Sequence, residues 1–271
     1  MTTSKSPPAP PPLAPDPANS KRNQPKTMGR RTWAFARELL IVVIGAVVVS
    51  SLLRAFVGQM FIIPSQSMEN TLLVGDRVVV EKLTKFQRGD VVVFSDPGGW
   101  LEEDPADPGP WDKALEFIGL PTKSTPGHLI KRVIGMPGDR VVCCTPKGRI
   151  TVNGYALNET SYLYTDSDDD QVNPSDVRFD VVVPKDRIFV MGDHRDLSAD
   201  SRCHLSDLST SEGTGQVAFV PISLVVGPAF AIAAPFDRAE QLRRPATFDE
   251  VPEPRAPAPA RGVIKPAGVN C

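Results

Sequence analysis

The chain has 271 residues, a formal net charge of -2 and 41% hydrophobic residues. That length holds one fair-sized domain with appendages, or two small ones. The near-neutral charge and the lack of a long basic run argue against a nucleic-acid partner.

Prolines crowd the start of the chain and recur from Pro235 to its end. Residues 1–37 and 237–271 therefore read as disordered or polyproline-like extensions with too little apolar content to pack. Next in order, Leu39–Leu53 has no charged residue, and the apolar character continues past Arg54 to Val57. At a helical rise of ~1.5 Å per residue, a helix over 38–58 matches the ~30 Å of bilayer hydrocarbon. Lys5, Lys21, Arg22, Lys26, Arg30, Arg31 and Arg37 precede it, against Asp16 and Glu38. The positive-inside rule then puts the N-terminus in the cytoplasm and residues 59–236 outside. A buried core helix or a cleavable signal peptide is the alternative. The run is longer than an ordinary signal-peptide core, and no small-residue cleavage site follows at once. The expectation is a single-pass plasma-membrane protein.

Cys143, Cys144, Cys203 and Cys271 would face an oxidising space where disulfides form. Neighbours on a strand point to opposite faces, so at most one of Cys143 and Cys144 is expected to meet Cys203. Buried free thiols are the bland alternative.

From Met60 to about Phe236 the pattern is mostly strand. Asp76–Glu81 and Asp90–Phe94 are β-branched runs bounded by Gly75, Gly89 and Pro97. Arg149–Leu157 carries Asn153-Gly154 between alternating apolar residues, a hairpin signal. Further strands are expected at Phe179–Val183, Ile188–Met191 and Val225–Ile232, and a short helix at Lys113–Ile118. The fold class is mainly β, a set of small antiparallel sheets or barrels behind one transmembrane helix. Trp100–Thr125 reads as a surface excursion; its alternative is membrane contact through Trp100, Trp111 and Phe117. The acidic run Asp166–Asp170 lacks the glycine and terminal Glu of a calcium loop and reads as a solvated turn.

Ile63-Pro64-Ser65-Gln66-Ser67-Met68 sets two hydroxyls into an apolar run just beyond the anchor. A serine attacks a carbonyl only when a base takes its proton and donors stabilise the oxyanion. His128, His194 and His204 are the only histidines, and none sits in a triad-like setting. A lysine neutralised by burial is the other solution. Lys131 lies between Leu129-Ile130 and Val133-Ile134, a charge in an apolar strand; an edge-strand lysine is the bland reading. Arg132 should point to the opposite face, and so outward.

Four segments together resemble the bacterial type I signal peptidases, the leader peptidases of family S26 with a Ser-Lys dyad. They are Ile63–Leu72, Gly89–Phe94, Lys131–Asp139 and Gly192–Arg202. The likeness runs over roughly residues 37 to 236. It implies a serine endopeptidase that removes signal peptides after small residues of Ala-X-Ala type, with no metal and no cofactor. Its implied partners are secretory preproteins, the lipid bilayer and the translocation machinery. Ser67 would be the nucleophile, Lys131 the general base, Ser198 the partner that orients the lysine amine, and Ser65 with the Ser67 N–H the oxyanion hole. Asp200 and Arg202 would form an ion pair under the site. Asp193 and Arg195 would support the same loop, and Gly192 would permit a tight bend. The substrate would lie as an added strand against Phe61, Ile63, Pro64, Met68, Leu72, Leu129 and Ile130.

Three departures stand out. Asn70 replaces the family's usual proline, His194 and Leu197 replace frequent asparagines, and Cys203-His204 is a less usual ending. A membrane-tethered β-domain that binds exported peptides without cutting, and a self-cleaving Ser-Lys repressor, are the competing classes. The first would need Ser67 or Lys131 to be missing, and the second would have DNA-binding helices in place of the anchor.

Overall fold

The computed structural model describes residues 28–56, 58–101 and 127–265. The chain divides into two units, Met1–Val48 and Val49–Cys271. Helix α1 spans Met28–Phe56. It starts well before residue 38 because Arg30, Arg31 and Arg37 are good helix formers and prolong it. Within it, Trp33–Ser50 has a mean hydropathy of 2.0 and is 0% buried, and it is long and apolar enough to cross a membrane. Leu40, Ile41 and Val42 stand exposed on it. A helix satisfies its own backbone groups, so such a surface suits lipid.

The larger unit is built from antiparallel strands. They are β1 (Gly58–Ile62), β2 (Arg77–Glu81), β3 (Val91–Ser95), β4 (His128–Gly135), β5 (Arg140–Cys143), β6 (Thr151–Val152), β7 (Tyr155–Ala156), β8 (Phe179–Val182), β9 (Arg187–Met191), β10 (Val220–Pro221), β11 (Val225–Ala234), β12 (Glu240–Gln241) and β13 (Val263–Lys265). One sheet runs β1-β2-β11-β3-β4-β9-β10, with β12 on β11; the second runs β13-β8-β5-β6-β7. The mainly β class with one apolar N-terminal helix is what the sequence led us to expect. Between β6 and β7, Asn153 (φ 53°) and Gly154 (φ 89°) both adopt positive φ, the two-residue turn that Asn-Gly favours.

Alternation along the central strands feeds separate apolar clusters. Val91 and Val93 join Phe61, Ile63, Met68, Leu72, Val78, Val80 and Ile130. Val92 and Phe94 point the other way, to Trp100, Val133, Ile188 and Val190. A third cluster unites the sheets, with Ile134, Phe189 and Met191 from one and Val141, Val152, Phe179 and Val181 from the other. β3 and β4 are therefore covered on both faces, as the unbroken apolar run Val91–Phe94 of β3 requires.

Two expectations fail here, and one alternative reading falls with them. The C-terminal segment is not a loose extension. Through residue 265 it straps the second sheet, with Phe248 and Val251 buried in the core and β13 paired to β8. Its backbone is satisfied from afar: Asn153 Nδ2 donates to Pro252 O at 2.7 Å, Lys185 N to Pro259 O at 2.8 Å, and Gln216 brackets Gly262. Proline lacks a donor and has little chain entropy to lose, so a few well-placed apolar residues suffice to hold such a segment. The cysteine pairing also differs, because Cys143 is joined to Cys144. β5 ends at Cys143, so the alternation that would part the two side chains no longer holds. Trp100, finally, is buried rather than at a membrane surface. It packs edge-on to Phe94, stacks on His204 and donates Nε1–H to Val217 O at 3.0 Å. Trp111, Phe117 and the expected helix at 113–118 lie outside the described residues. The Asp166–Asp170 run is a turn closed by Asp166 Oδ1, which accepts from the N–H of Asp168 and of Asp170.

Candidate active site

Ser67 sits in a single 3-10 turn, Gln66–Met68, between β1 and β2. Met68 is fully buried and anchors the turn, which closes by Glu69 N donating to Gln66 O at 2.9 Å. Asn70 continues it at φ 80°, a left-handed conformation that asparagine tolerates and proline cannot adopt. Its Nδ2 donates to Leu163 O at 3.2 Å, so this departure ties the turn down.

Lys131, on β4, hydrogen-bonds through Nζ to Ser67 Oγ, and both residues are 4% exposed. Burial is the main cause that lowers the lysine pKa from 10.5 to about 8; Asp200 and Asp193 oppose it, and Arg202 adds to it. Ser65 is solvent-exposed, with its Oγ 3.3 Å from Ser67 Oγ. Among the described residues the hydrogen-bond partners of Ser67 Oγ are Lys131 and Ser65, and His194 meets Ser67 through its backbone, donating to Ser67 O at 3.1 Å. The His194 ring stacks on Tyr164 with centroids 3.8 Å apart, and its Nδ1 lies 3.3 Å from Glu69 Oε2.

The loop after β9 closes the site from behind. Asp200 is fully buried and accepts from Gly192 N at 2.9 Å, Ser198 Oγ at 2.8 Å, and Arg202 Nε and Nη2, each at 2.9 Å. Burial acts against its carboxylate, but Arg202 and these donors outweigh it and lower the pKa. Ser198 thus spends its proton on Asp200, and the Lys131–Ser198 bond implied by the resemblance is absent among the described residues. Gly192 is needed for close approach more than for a bend. A Cβ there would run into Ser67 O and Ser198 Oγ and come within 2.6 Å of Ser198 Cβ.

Arg132 does not point outward. Its face of β4 is covered too, and Arg132 is buried against Asp193, with Nε to Oδ1 at 2.8 Å and Nη2 to Oδ2 at 2.6 Å. Nη1 donates to Gly89 O at 2.7 Å, and Thr71 Oγ1 donates to the same carboxylate. Arg195 is buried as well, paired with Glu159 Oε1 at 2.6 Å. Thr71, Arg132, Glu159 and Tyr162 are the support residues that sequence reasoning did not find in that role. Thr71 and Arg132 lie within the family-like segments, whereas Glu159 and Tyr162 carried no motif signal. Of the expected substrate contacts, Phe61, Ile63, Met68, Leu72 and Ile130 share one cluster. Pro64 is exposed, whereas Leu129 packs in the cluster on the other face.

A sequence model of the family described as "Signal peptidase, peptidase S26" matches residues 36–234. The chain belongs to that family. Membership makes it a membrane-associated serine endopeptidase of the signal peptidase I type. Among its relatives, a protein of Mycobacterium tuberculosis (strain CDC 1551 / Oshkosh) named "Signal peptidase I" is 36% identical over 243 residues, covering 81% of this chain and 78% of that one. A "Probable signal peptidase I" of Mycobacterium leprae (strain TN) is 36% identical over 230 residues, 76% of this chain and 77% of its own. A "Signal peptidase I" of Leptolyngbya laminosa is 30% identical over 245 residues, 89% of this chain and 96% of its own. The family match ends at the last residue of β11, so the C-terminal strap lies beyond it.

Proposed function

We propose that the chain cleaves signal peptides from exported preproteins with Ser67 as nucleophile and Lys131 as general base. The buried hydrogen bond between Lys131 Nζ and Ser67 Oγ is the observation that carries this reading. As a neutral amine, Lys131 accepts the Ser67 proton while Oγ attacks the scissile carbonyl. The resulting ammonium gives that proton to the departing amine, and water then hydrolyses the acyl-enzyme with Lys131 again as base. Ser65 Oγ and the Ser67 N–H serve the oxyanion. Ser198, held by Asp200, keeps a lone pair with which to orient the lysine when substrate is bound.

Phe61, Ile63, Met68, Leu72 and Ile130 back a shallow apolar pocket that suits small side chains, and Pro64 flanks it. Leu129 drops out, since it packs on the other face. The substrate lies as an extended strand whose main chain supplies affinity and whose alternate side chains supply selection. The N-terminus lies in the cytoplasm and the catalytic unit outside, where preproteins arrive from the translocation machinery.

Processing of a preprotein in detergent by wild type, Ser67→Ala and Lys131→Ala tests the dyad. Both variants should lose cleavage, and undiminished activity in either one rejects the assignment.

A further inference from the structure

Behind the dyad lies a polar layer that includes Glu159 and Tyr162, which fall in none of the four family-like segments. Glu159 is 4% exposed, and its Oε1 accepts from Arg195 Nη2 at 2.6 Å and from the Tyr162 hydroxyl at 2.7 Å. Its Oε2 is buried without a hydrogen-bond partner among the described residues. A charge held this way costs more than a well-packed apolar side chain of the same shape, so stability alone does not account for it.

The contacts lead toward the nucleophile from two sides. Arg195 Nε donates to Gly192 O at 2.8 Å, and Arg202 Nη2 donates to Arg195 O at 2.8 Å. Gly192 in turn is wedged against Ser67 O and Ser198, with its N–H on Asp200. On the other side the Arg132 guanidinium lies 4.4 Å from the Tyr162 ring centroid while it clamps Asp193. Burial and the Glu159 charge raise the Tyr162 pKa well above that of an ordinary phenol, so its hydroxyl stays a donor. Phe248, from the strap, stacks on Tyr162 with centroids 6.1 Å apart.

We propose that Glu159 is a positioning residue for the Ser67–Lys131 dyad. It sets Gly192 against the Ser67 carbonyl through Arg195, and sets Arg132 against Asp193 through Tyr162. The proposal rests on the dyad reading above.

Steady-state cleavage of a preprotein by the full-length protein in detergent tests it, with wild type, Ser67→Ala, Glu159→Leu, Glu159→Gln and Tyr162→Phe compared. Cleavage that persists in Ser67→Ala overturns the dyad reading and this proposal with it. With that control inactive, Glu159→Leu should lower kcat about 30-fold and leave KM within about twofold, as misplacement of reacting groups does. Glu159→Gln keeps an acceptor for both donors and should recover to within about threefold of wild-type kcat. A kcat for Glu159→Leu within about twofold of wild type, a loss confined to KM, or equal losses in Leu and Gln variants overturns the proposal. Should Glu159→Leu lose its near-UV circular dichroism, Tyr162→Phe decides, because it keeps the ring over Arg132. A kcat lowered about threefold or more supports the positioning role, and a smaller change rejects it.

Discussion

The acid limb of the pH–activity profile follows directly from the environment of Lys131. In the proposed dyad only the neutral amine can accept the Ser67 proton, so activity should rise with pH through the folded-state pKa of the lysine. Burial lowers that pKa from 10.5 to about 8. At pH 8 about half of the lysines are then neutral, against roughly 0.3% for an unperturbed side chain, a gain of about 150-fold. Between pH 6 and pH 8 the neutral fraction climbs from about 1% to about 50%, and it levels off above about pH 9. The assay is kcat/KM for preprotein cleavage in micelles across pH 5.5 to 10 (roughly the range in which the fold is expected to persist), since kcat/KM reports the free enzyme. A profile flat below pH 8 would refute the reasoning. So would a midpoint near 6.5 that vanishes in His194→Asn, which would hand the proton to an imidazole. A profile still rising with no plateau at pH 10 would mean that the amine is hydrated rather than buried.

Gly192→Ala should be the most damaging single methyl near the site. Its Cβ would meet Ser198 Cβ at 2.6 Å as well as Ser67 O and Ser198 Oγ. Overpacking of this kind costs about 1–3 kcal/mol of stability, while a displacement near 1 Å at the reacting atoms costs about 100-fold in rate. Urea melts paired with kcat will show whether activity falls much further than stability. Phe248→Ala should do the reverse. Phe248 is 3% exposed in the core cluster that joins the two sheets, so its loss should remove about 3–5 kcal/mol, read as a lower urea midpoint at unchanged slope. A midpoint equal to that of wild type would mean that the strap does not pack in solution.

The strands were legible because their signals are local. Val78–Val80, Val91–Phe94 and Val225–Ile232 are β-branched runs between turn residues, and Asn153-Gly154 names its own turn. Ser67 and Lys131 were also within reach, as a hydroxyl and a charge set in apolar surroundings. The residues misjudged share a different property, because what decides each of them lies far away in the chain. The fate of Arg132 depends on Asp193, 61 positions later, and Glu159, passed over in the sequence, takes its part from Arg195, 36 positions later. The strap depends on Asn153, Lys185 and Gln216.

A period of two gives the direction of a side chain relative to its neighbour, and nothing about what covers that side. For Lys131 and Arg132 the period was right, since the two cations do reach different partners. The inference that one of them must therefore be wet was the faulty step. With both faces of β4 covered, two adjacent cations are buried, and the chain treats them in opposite ways. Arg132 receives a bidentate carboxylate and stays charged. Lys131 receives a hydroxyl and, among the described residues, no carboxylate within hydrogen-bond distance, so desolvation prevails and its proton is held loosely. Arginine could not serve at position 131, nor lysine at 132, because only the ammonium can be brought near neutrality and only the guanidinium can grip Asp193 with two parallel bonds.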